Sequence, residues 1–128
     1  MKLNLIAHDF EQHARIFKRC VNERIPVEYL DDGVEVKFCI NNVIGDRESY
    51  QISSTEAGWK ITGADEMGLF YGIGKFLHSA KWTEEEFIPN PPTKVMTPAC
   101  SFRATYFAVH FYNWYQMASM EEMSIVLK

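Results

Sequence analysis

The side chains best suited to chemistry crowd into an aromatic tract near the end of the printed chain. Arg103, His110, Asn113 and Trp114 lie there among several tyrosines and phenylalanines. Aromatic faces with a few hydrogen-bonding groups suit sugar rings, which offer apolar C–H patches beside many hydroxyls. Packing in a core or an interface explains the neighbouring aromatic residues about as well. We therefore expect a sugar-facing role for some of these four residues only within a complete protein.

No other motif predicts a catalytic or metal site. The four histidines lack the HExxH spacing of zinc enzymes, so no metal site is expected; they are His8, His13, His78 and His110. In GLFYGIGK, five residues separate Gly68 from Gly74 where a phosphate loop has four, and Phe76 follows the lysine. A dinucleotide turn fails too, because a leucine occupies the position of its third glycine. Close packing is the better explanation of Gly68 and Gly72, which lie four residues apart on one helical face.

Three consecutive carboxylates, Glu84 to Glu86, raise the question of acid–base catalysis. Paired carboxylates can perform such work when they face each other across a pocket. These three lie in a connecting segment without a pocket pattern, so a solvated loop is expected. We predict no catalytic residues in this chain, and no cofactor.

Composition limits the classes of partner. The chain has 128 residues, 47% of them hydrophobic, and a formal net charge of −4 with scattered basic residues. Nucleic-acid binders usually carry a basic stripe, so nucleic acid is not an expected partner. The chain has three cysteines, Cys20, Cys39 and Cys100. Because their number is odd and no CxxC spacing occurs, neither a disulfide framework nor a zinc site is expected, and reduced, mostly buried thiols are favoured. With no signal-peptide pattern and no apolar run near the roughly 20 residues of a membrane span, a cytoplasmic location and no membrane contact are expected.

Hydrophobic periodicity predicts the elements that would position any site. Residues 3–6 could form a strand, and a helix is expected over about 9–23, capped by Asp9. Alternation predicts strands over 34–40, from about Tyr50 to Ser53, and over 59–63, the last two as a hairpin. A second helix is expected from about Asp65 to Ala80. The fold class is α+β, with a small mixed sheet of about four strands in β-α-β-β-β-α order and two helices on one face.

A change of composition after Trp82 divides the chain into three parts. Four prolines between Pro89 and Pro98 exclude a helix or an inner strand there, so we predict an accessory domain over 1–82 and a connector over 83–99. Aromatic and β-branched residues favour a strand over 102–111, and Ser119 could cap a following helix with acidic residues in its first turn. Residues 100–128 would be the first strand and part of the first helix of a truncated barrel.

One stretch of sequence resembles a known family. YQISSTEAGWKITGADEMGLFYGIGKFL, the prolines and SFRATYF are similar to the domain preceding the catalytic barrel in β-N-acetylhexosaminidases and related α-glucuronidases. The family pattern "I.G....G..YG...L" is matched at six positions, Ile61, Gly63, Gly68, Tyr71, Gly72 and Leu77. The similarity covers about residues 49–107, and the first 48 residues match only in the order of elements. Arg103 stands where an Arg opens the first barrel strand, but Ala104 follows it where Arg-Gly is frequent, and the Asp common on that strand is absent.

The resemblance implies a zincin-like α+β sandwich without zinc, packed against its own downstream (β/α)8 barrel. It implies that Arg103 hydrogen-bonds sugar hydroxyls in the whole enzyme, and that residues 110–114 lie near the barrel rim that holds the site. The acid pair of that family would lie beyond position 128.

The function expected is therefore that of a non-catalytic N-terminal domain of a glycoside hydrolase, with carbohydrate bound only in the full-length protein. The alternatives are a stand-alone carbohydrate-binding module and a protein-interaction module. Self-association through the apolar C-terminal segment is a further expectation, because large exposed apolar patches tend to associate.

Overall fold

The fold is mixed α+β, with seven strands and two helices in the described part of the chain. The computed structural model describes residues 1–103, 118–119 and 121–122. The elements, in chain order, are β1 Lys2–Ile6, α1 Glu11–Asn22, β2 Glu28–Tyr29, β3 Val34–Ile40, β4 Tyr50–Thr55, β5 Gly58–Gly63, α2 Glu66–His78, β6 Lys81–Trp82 and β7 Phe87–Ile88.

Five strands form a mostly parallel sheet in the order β2-β1-β3-β5-β4. β1 pairs in parallel with β2 and β3, and β3 pairs in parallel with β5, so that Phe38 lies beside Ile61. β4 and β5 form the antiparallel hairpin that the sequence predicts, with Tyr50 opposite Gly63. Gly58 begins β5 with φ 151°, in a region that side-chain-bearing residues avoid, and a methyl group there would overlap the Glu35 backbone.

The two helices and the sheet share one hydrophobic core. The ring of Phe17 in α1 lies 5.8 Å from that of Phe38 in β3 and 6.5 Å from that of Phe76 in α2. Leu3 and Ile61 are fully buried in the same cluster. Each such side chain contributes roughly 1.5–3 kcal/mol when it is removed from water.

The two helices begin differently. At α2, which the sequence predicts to begin near Asp65, the Asp65 carboxylate accepts the Gly68 N–H at 2.7 Å. At α1, the N-cap residue is Phe10, and its side chain makes no capping hydrogen bond. The prediction of an Asp9 cap was wrong, because the helix begins two residues later, at Glu11, and tertiary packing of Phe17 and Val21 stabilises it instead.

The segment predicted as a plain connector packs onto the domain. β6 and β7 form a two-stranded sheet, and Phe87 is 2% exposed, with its ring 4.9 Å from that of Trp82 and 5.9 Å from that of Phe76. Further along, Met96 pairs with Tyr50 at the edge of β4. The four-strand estimate was too low, because β2 has only two residues and carries no alternation that a sequence pattern could reveal. The division at 82 and 99 stays a prediction.

The predicted strand over 102–111 lies outside the described residues except for Phe102 and Arg103. Of the predicted helix after it, only the start is described. The Ser119 N–H and hydroxyl donate to the Glu122 carboxylate, and the Glu122 N–H donates back to the Ser119 hydroxyl at 3.2 Å. This reciprocal capping box confirms Ser119 as a cap. It lowers the pKa of Glu122, since the Ser119 backbone and then its side chain hydrogen-bond the carboxylate.

Candidate functional site

Arg103 lies against the surface of α2. Its Nη2 donates to Glu48 Oε2 and to the Tyr71 hydroxyl at 3.3 Å, and its Nη1 donates to the Cys100 carbonyl at 2.6 Å. The guanidinium carbon is also 5.3 Å from the centre of the Tyr71 ring, within the range of a cation–π interaction. Hydrogen bonds with Tyr71 and then Glu48 raise the pKa of Arg103 above its ordinary value. We call Arg103, Glu48 and Tyr71 the arginine cluster.

The backbone of Glu48 is fixed by a hydrogen bond to Asp65. It has φ 64°, a left-handed conformation that is uncommon for a residue with a side chain. Its N–H donates to Asp65 Oδ2 at 3.0 Å, while Oδ1 of the same carboxylate caps α2. One aspartate therefore begins the helix and orients the loop that carries the partner of Arg103.

The segment that precedes Arg103 is hydrogen-bonded to β4 and to the residue before it. Tyr50 and Met96 exchange two backbone hydrogen bonds, of 2.9 and 2.8 Å. The fully buried hydroxyl of Ser49 lies 3.0 Å from that of Thr97. These contacts bring residues 96–98 alongside the edge strand and leave a groove between that segment and α2.

This groove has a volume of about 530 Å³ and largely apolar walls. The α2 side consists of Phe70, Tyr71, Gly74, Lys75 and His78, and Met96, Thr97 and Pro98 line the groove from the other segment. Tyr50, Glu48 and Arg103 complete the lining. Burial raises the pKa of Tyr50. A volume of this size suits a small ligand or a protein side-chain cluster.

The groove is poorly equipped for glycoside hydrolysis. Hydrolysis of a glycosidic bond generally uses two carboxylates on opposite sides of the scissile bond. Among the described residues lining this groove, Glu48 supplies the one carboxylate, and it is paired with Arg103. The arrangement can bind or position, but it offers no acid–base pair.

Of the four residues predicted to face a sugar, the structure describes Arg103 alone. His110, Asn113 and Trp114 lie outside the described residues. Sequence reasoning missed Glu48, because no local pattern links it to an arginine 55 positions away. Tyr71 could be identified from the sequence only as a position of the family pattern, because the residues next to it in the sequence do not indicate a contact with Arg103.

The glycine-rich stretch packs as the sequence predicts. A methyl group at Gly68 would overlap the Ser49 carbonyl oxygen, and one at Gly72 would lie 2.8 Å from the Ile61 side chain. Gly74 differs, since no described atom lies within 4 Å of the position a methyl group would take.

The remaining candidates have structural explanations. Glu84 to Glu86 are exposed in a turn closed by Thr83, whose hydroxyl accepts the N–H groups of Glu85 and Glu86, so the solvated-loop prediction is confirmed. The His13 Nε2 lies 3.1 Å from the backbone carbonyl oxygen of Glu66, which accepts a hydrogen bond when that nitrogen is protonated. Within the described residues, no three His, Cys, Asp or Glu side chains gather closely enough to hold a metal ion. That same part of the chain contains no helix with the length and apolar character needed to cross a bilayer.

No family model and no curated protein matches this chain. Among solved structures, it is similar to a GH138 enzyme targeting pectin rhamnogalacturonan II, with 15% identity and a TM-score of 0.48 over 61% of this chain and 13% of the other. It is also similar to a β-N-acetylhexosaminidase from Bacteroides fragilis NCTC 9343, with 18% identity and a TM-score of 0.49 over 70% of this chain and 18% of the other. The structural neighbours are thus glycoside hydrolases, at low identity, and the chain spans under a fifth of either.

Proposed function

We propose that this chain is the non-catalytic N-terminal domain of a cytoplasmic glycoside hydrolase. In this proposal the domain is a zincin-like sandwich, residues 100–128 begin a catalytic barrel, and the carboxylates that cleave the glycosidic bond belong to that barrel. The domain scaffolds the barrel and needs no cofactor.

The observation that carries the proposal is the arginine cluster. Tyr71 belongs to the family-like helix pattern and Arg103 to the family-like start of the barrel, and these two residues are in contact. Three of the five guanidinium N–H donors are used inside the chain, on Glu48 and Tyr71 of the domain and on the carbonyl of Cys100. This commitment supports a positioning role for Arg103, which would fix the direction in which the chain leaves the domain. Contact of Arg103 with a sugar stays a prediction for the full-length protein.

A stand-alone carbohydrate-binding module is the second candidate. Tyr50, Phe70 and Tyr71 bring aromatic surface to the groove, and Lys75 and His78 add hydrogen-bond donors near it. Aromatic surfaces beside polar groups are suited to sugar rings.

A titration of the 128-residue chain with N-acetyl-β-hexosaminide oligosaccharides, followed by amide NMR, separates the two candidates. The scaffold proposal predicts no saturable shifts of the Tyr71, Lys75 and His78 amides. Saturable shifts that vanish in Tyr71→Ala but persist in the exposed control Thr55→Ala would support the binding module and contradict the scaffold.

A further inference from the structure

The outward side of α2 is unusually apolar for a helix that packs on a sheet. Its inward side supplies Leu69, Ile73 and Phe76 to the core, so the opposite side should be polar. Instead, Met67 is 48% exposed and Phe70 is 40% exposed. Together with Tyr71, Gly74, Lys75 and His78, these residues form a stripe along the helix that we call the α2 outer face.

Gly74 is the centre of this face and the least expected residue on it. Glycine in a helix interior costs about 1 kcal/mol relative to alanine. Gly68 and Gly72 are explained by close contact with β4 and β5, whereas no described atom comes within 4 Å of the missing methyl group of Gly74. The absence of a side chain there gives an external group close access to the helix backbone.

Two depressions meet at Gly74. One is the groove beside residues 96–98, and the other, of about 290 Å³, lies between α1 and α2 and includes Ile16, Cys20 and Leu77. Gly74 and Phe70 line both. We call the surface at Gly74 and Phe70, between the two depressions, the saddle. An amphipathic segment lying across the saddle could insert side chains into both depressions.

The charges around this saddle indicate the chemistry of the occupant. Lys75 and His78 stand on the α2 outer face, and Arg19 and Arg24 line the second depression. Glu48 is paired with Arg103, and Glu23 lies 4.0 Å from Arg19. Among the described residues, four cations line the two depressions, Lys75, Arg19, Arg24 and Arg103, against two carboxylates, Glu23 and Glu48. The described surroundings of the saddle therefore carry a net positive charge, although the chain carries a net charge of −4.

We propose that the α2 outer face is a docking surface for an amphipathic protein segment that carries carboxylates beside its apolar residues. Charge complementarity selects this occupant over residues 104–117, which contain no Asp or Glu; residues 118–128 carry Glu121 and Glu122, and the test below separates them from an external segment. The inference does not depend on the glycoside hydrolase proposal, since the occupant is defined by its chemistry alone.

The test uses the whole chain and a short synthetic peptide of leucine, alanine and glutamate, with its apolar residues at helical spacing. A second peptide carries lysine in place of every glutamate. Amide NMR should show saturable shifts in residues 67–78 with the glutamate peptide and at least about tenfold weaker binding with the lysine peptide. Added salt should weaken the first interaction.

Gly74→Leu places a side chain on the saddle, where no described atom outside its own helix backbone lies within 4 Å of the added Cβ. The variant should fold and bind the glutamate peptide at least about tenfold more weakly. Thr55→Leu, at the far end of β4, is the matched control and should bind as the unchanged chain does. Equal binding of both peptides, lack of saturation, or shifts centred away from α2 would overturn the proposal. So would sedimentation showing a dimer that Gly74→Leu dissociates, or nuclear Overhauser contacts between residues 104–128 and α2, because the occupant would then be this chain itself.

Discussion

At the scale of single residues, Asp65 has the widest influence in the described structure. Its two carboxylate oxygens accept the N–H groups of Gly68 and Glu48, so one side chain joins the start of α2 to the loop before β4. Because hydrogen bonds to a charged acceptor are stronger than neutral ones, this residue should matter more than an ordinary helix cap.

We expect Asp65→Ala to lower the free energy of unfolding by about 1–2 kcal/mol, since it removes both hydrogen bonds. Asp9→Ala is the matched control, because Asp9 is exposed and does not cap α1; its effect should stay within about 0.5 kcal/mol. Urea denaturation of both variants measures the difference. Equal losses would show that the Asp65 contacts contribute little.

Two glycines of the same helix should respond to alanine in opposite directions. Gly68→Ala forces a methyl group into the Ser49 carbonyl, and a loss of about 1–3 kcal/mol is expected. At Gly74→Ala the methyl group meets no described atom within 4 Å outside its own helix backbone, so the variant should gain up to about 1 kcal/mol through helix propensity. Thermal melts followed by circular dichroism give the sign of each change. A destabilised Gly74→Ala would mean that undescribed residues already occupy that space.

Local patterns predicted the cap at Ser119 and the start of α2 near Asp65, because the signals of a helix start lie within four residues of sequence. The same kind of pattern misplaced the start of α1. Asp9 is a residue type that commonly caps helices, but the N-cap residue of α1 is Phe10. The arginine cluster could not be predicted from the sequence for a different reason. Glu48 meets Arg103 only because β4 and residues 96–97 run side by side, and nothing near Glu48 encodes that pairing.

At the scale of elements, β6 and β7 belong to the core more than their composition indicates. Phe87 contacts Phe76 of α2 and Trp82 of β6, and Arg24, just after α1, stacks 4.7 Å from the Trp82 ring. The prolines around them exclude inner strands, which is correct, but they do not prevent a short hairpin from covering the helices.

Phe87→Ala should therefore cost about 3–5 kcal/mol, as expected for a large aromatic side chain removed from a core. Ile88→Ala, at the next position and 51% exposed, should cost far less. Chemical denaturation compares the two variants, with the native fold checked by NMR at low denaturant. Similar small losses in both would favour a domain that ends near residue 82.

The strands over 34–40 and 50–53 and the hairpin with β5 were predictable, because alternation along a half-buried strand repeats every two residues. The strand order was not predictable, since β5 inserts between β3 and β4. That order depends on Gly58 and Gly63, which bring β5 close to β3 and to the backbone of α2.

At the scale of the whole molecule, stability should depend on pH in the alkaline range. Burial raises the pKa of Tyr29 from 10.0 to about 12, and it also raises the pKa of Tyr50. A folded-state pKa above the unfolded one gives stability that is complete below about pH 10 and is lost as the pH rises towards 12. For the half-buried Tyr29, allowing for solvent screening, we expect a loss on the order of 1 kcal/mol.

Tyr29→Phe isolates this contribution. The variant loses the hydroxyl that donates to Asn22 at 3.2 Å, so it should be slightly less stable at pH 8. Between pH 9.5 and 11.5, its free energy of unfolding should fall less steeply than that of the unchanged chain. Parallel slopes for the two proteins would contradict the assignment of the pH dependence to Tyr29.

The proposal for the whole molecule is that this domain positions a catalytic unit that it does not itself contain. The most direct measurement compares hydrolysis of aryl N-acetyl-β-hexosaminides and aryl α-glucuronides by the complete natural gene product with that by the 128-residue chain. We predict turnover of a glycoside by the complete product and none by the chain. Turnover by the isolated chain, or a complete product that cleaves no glycoside, would contradict the account.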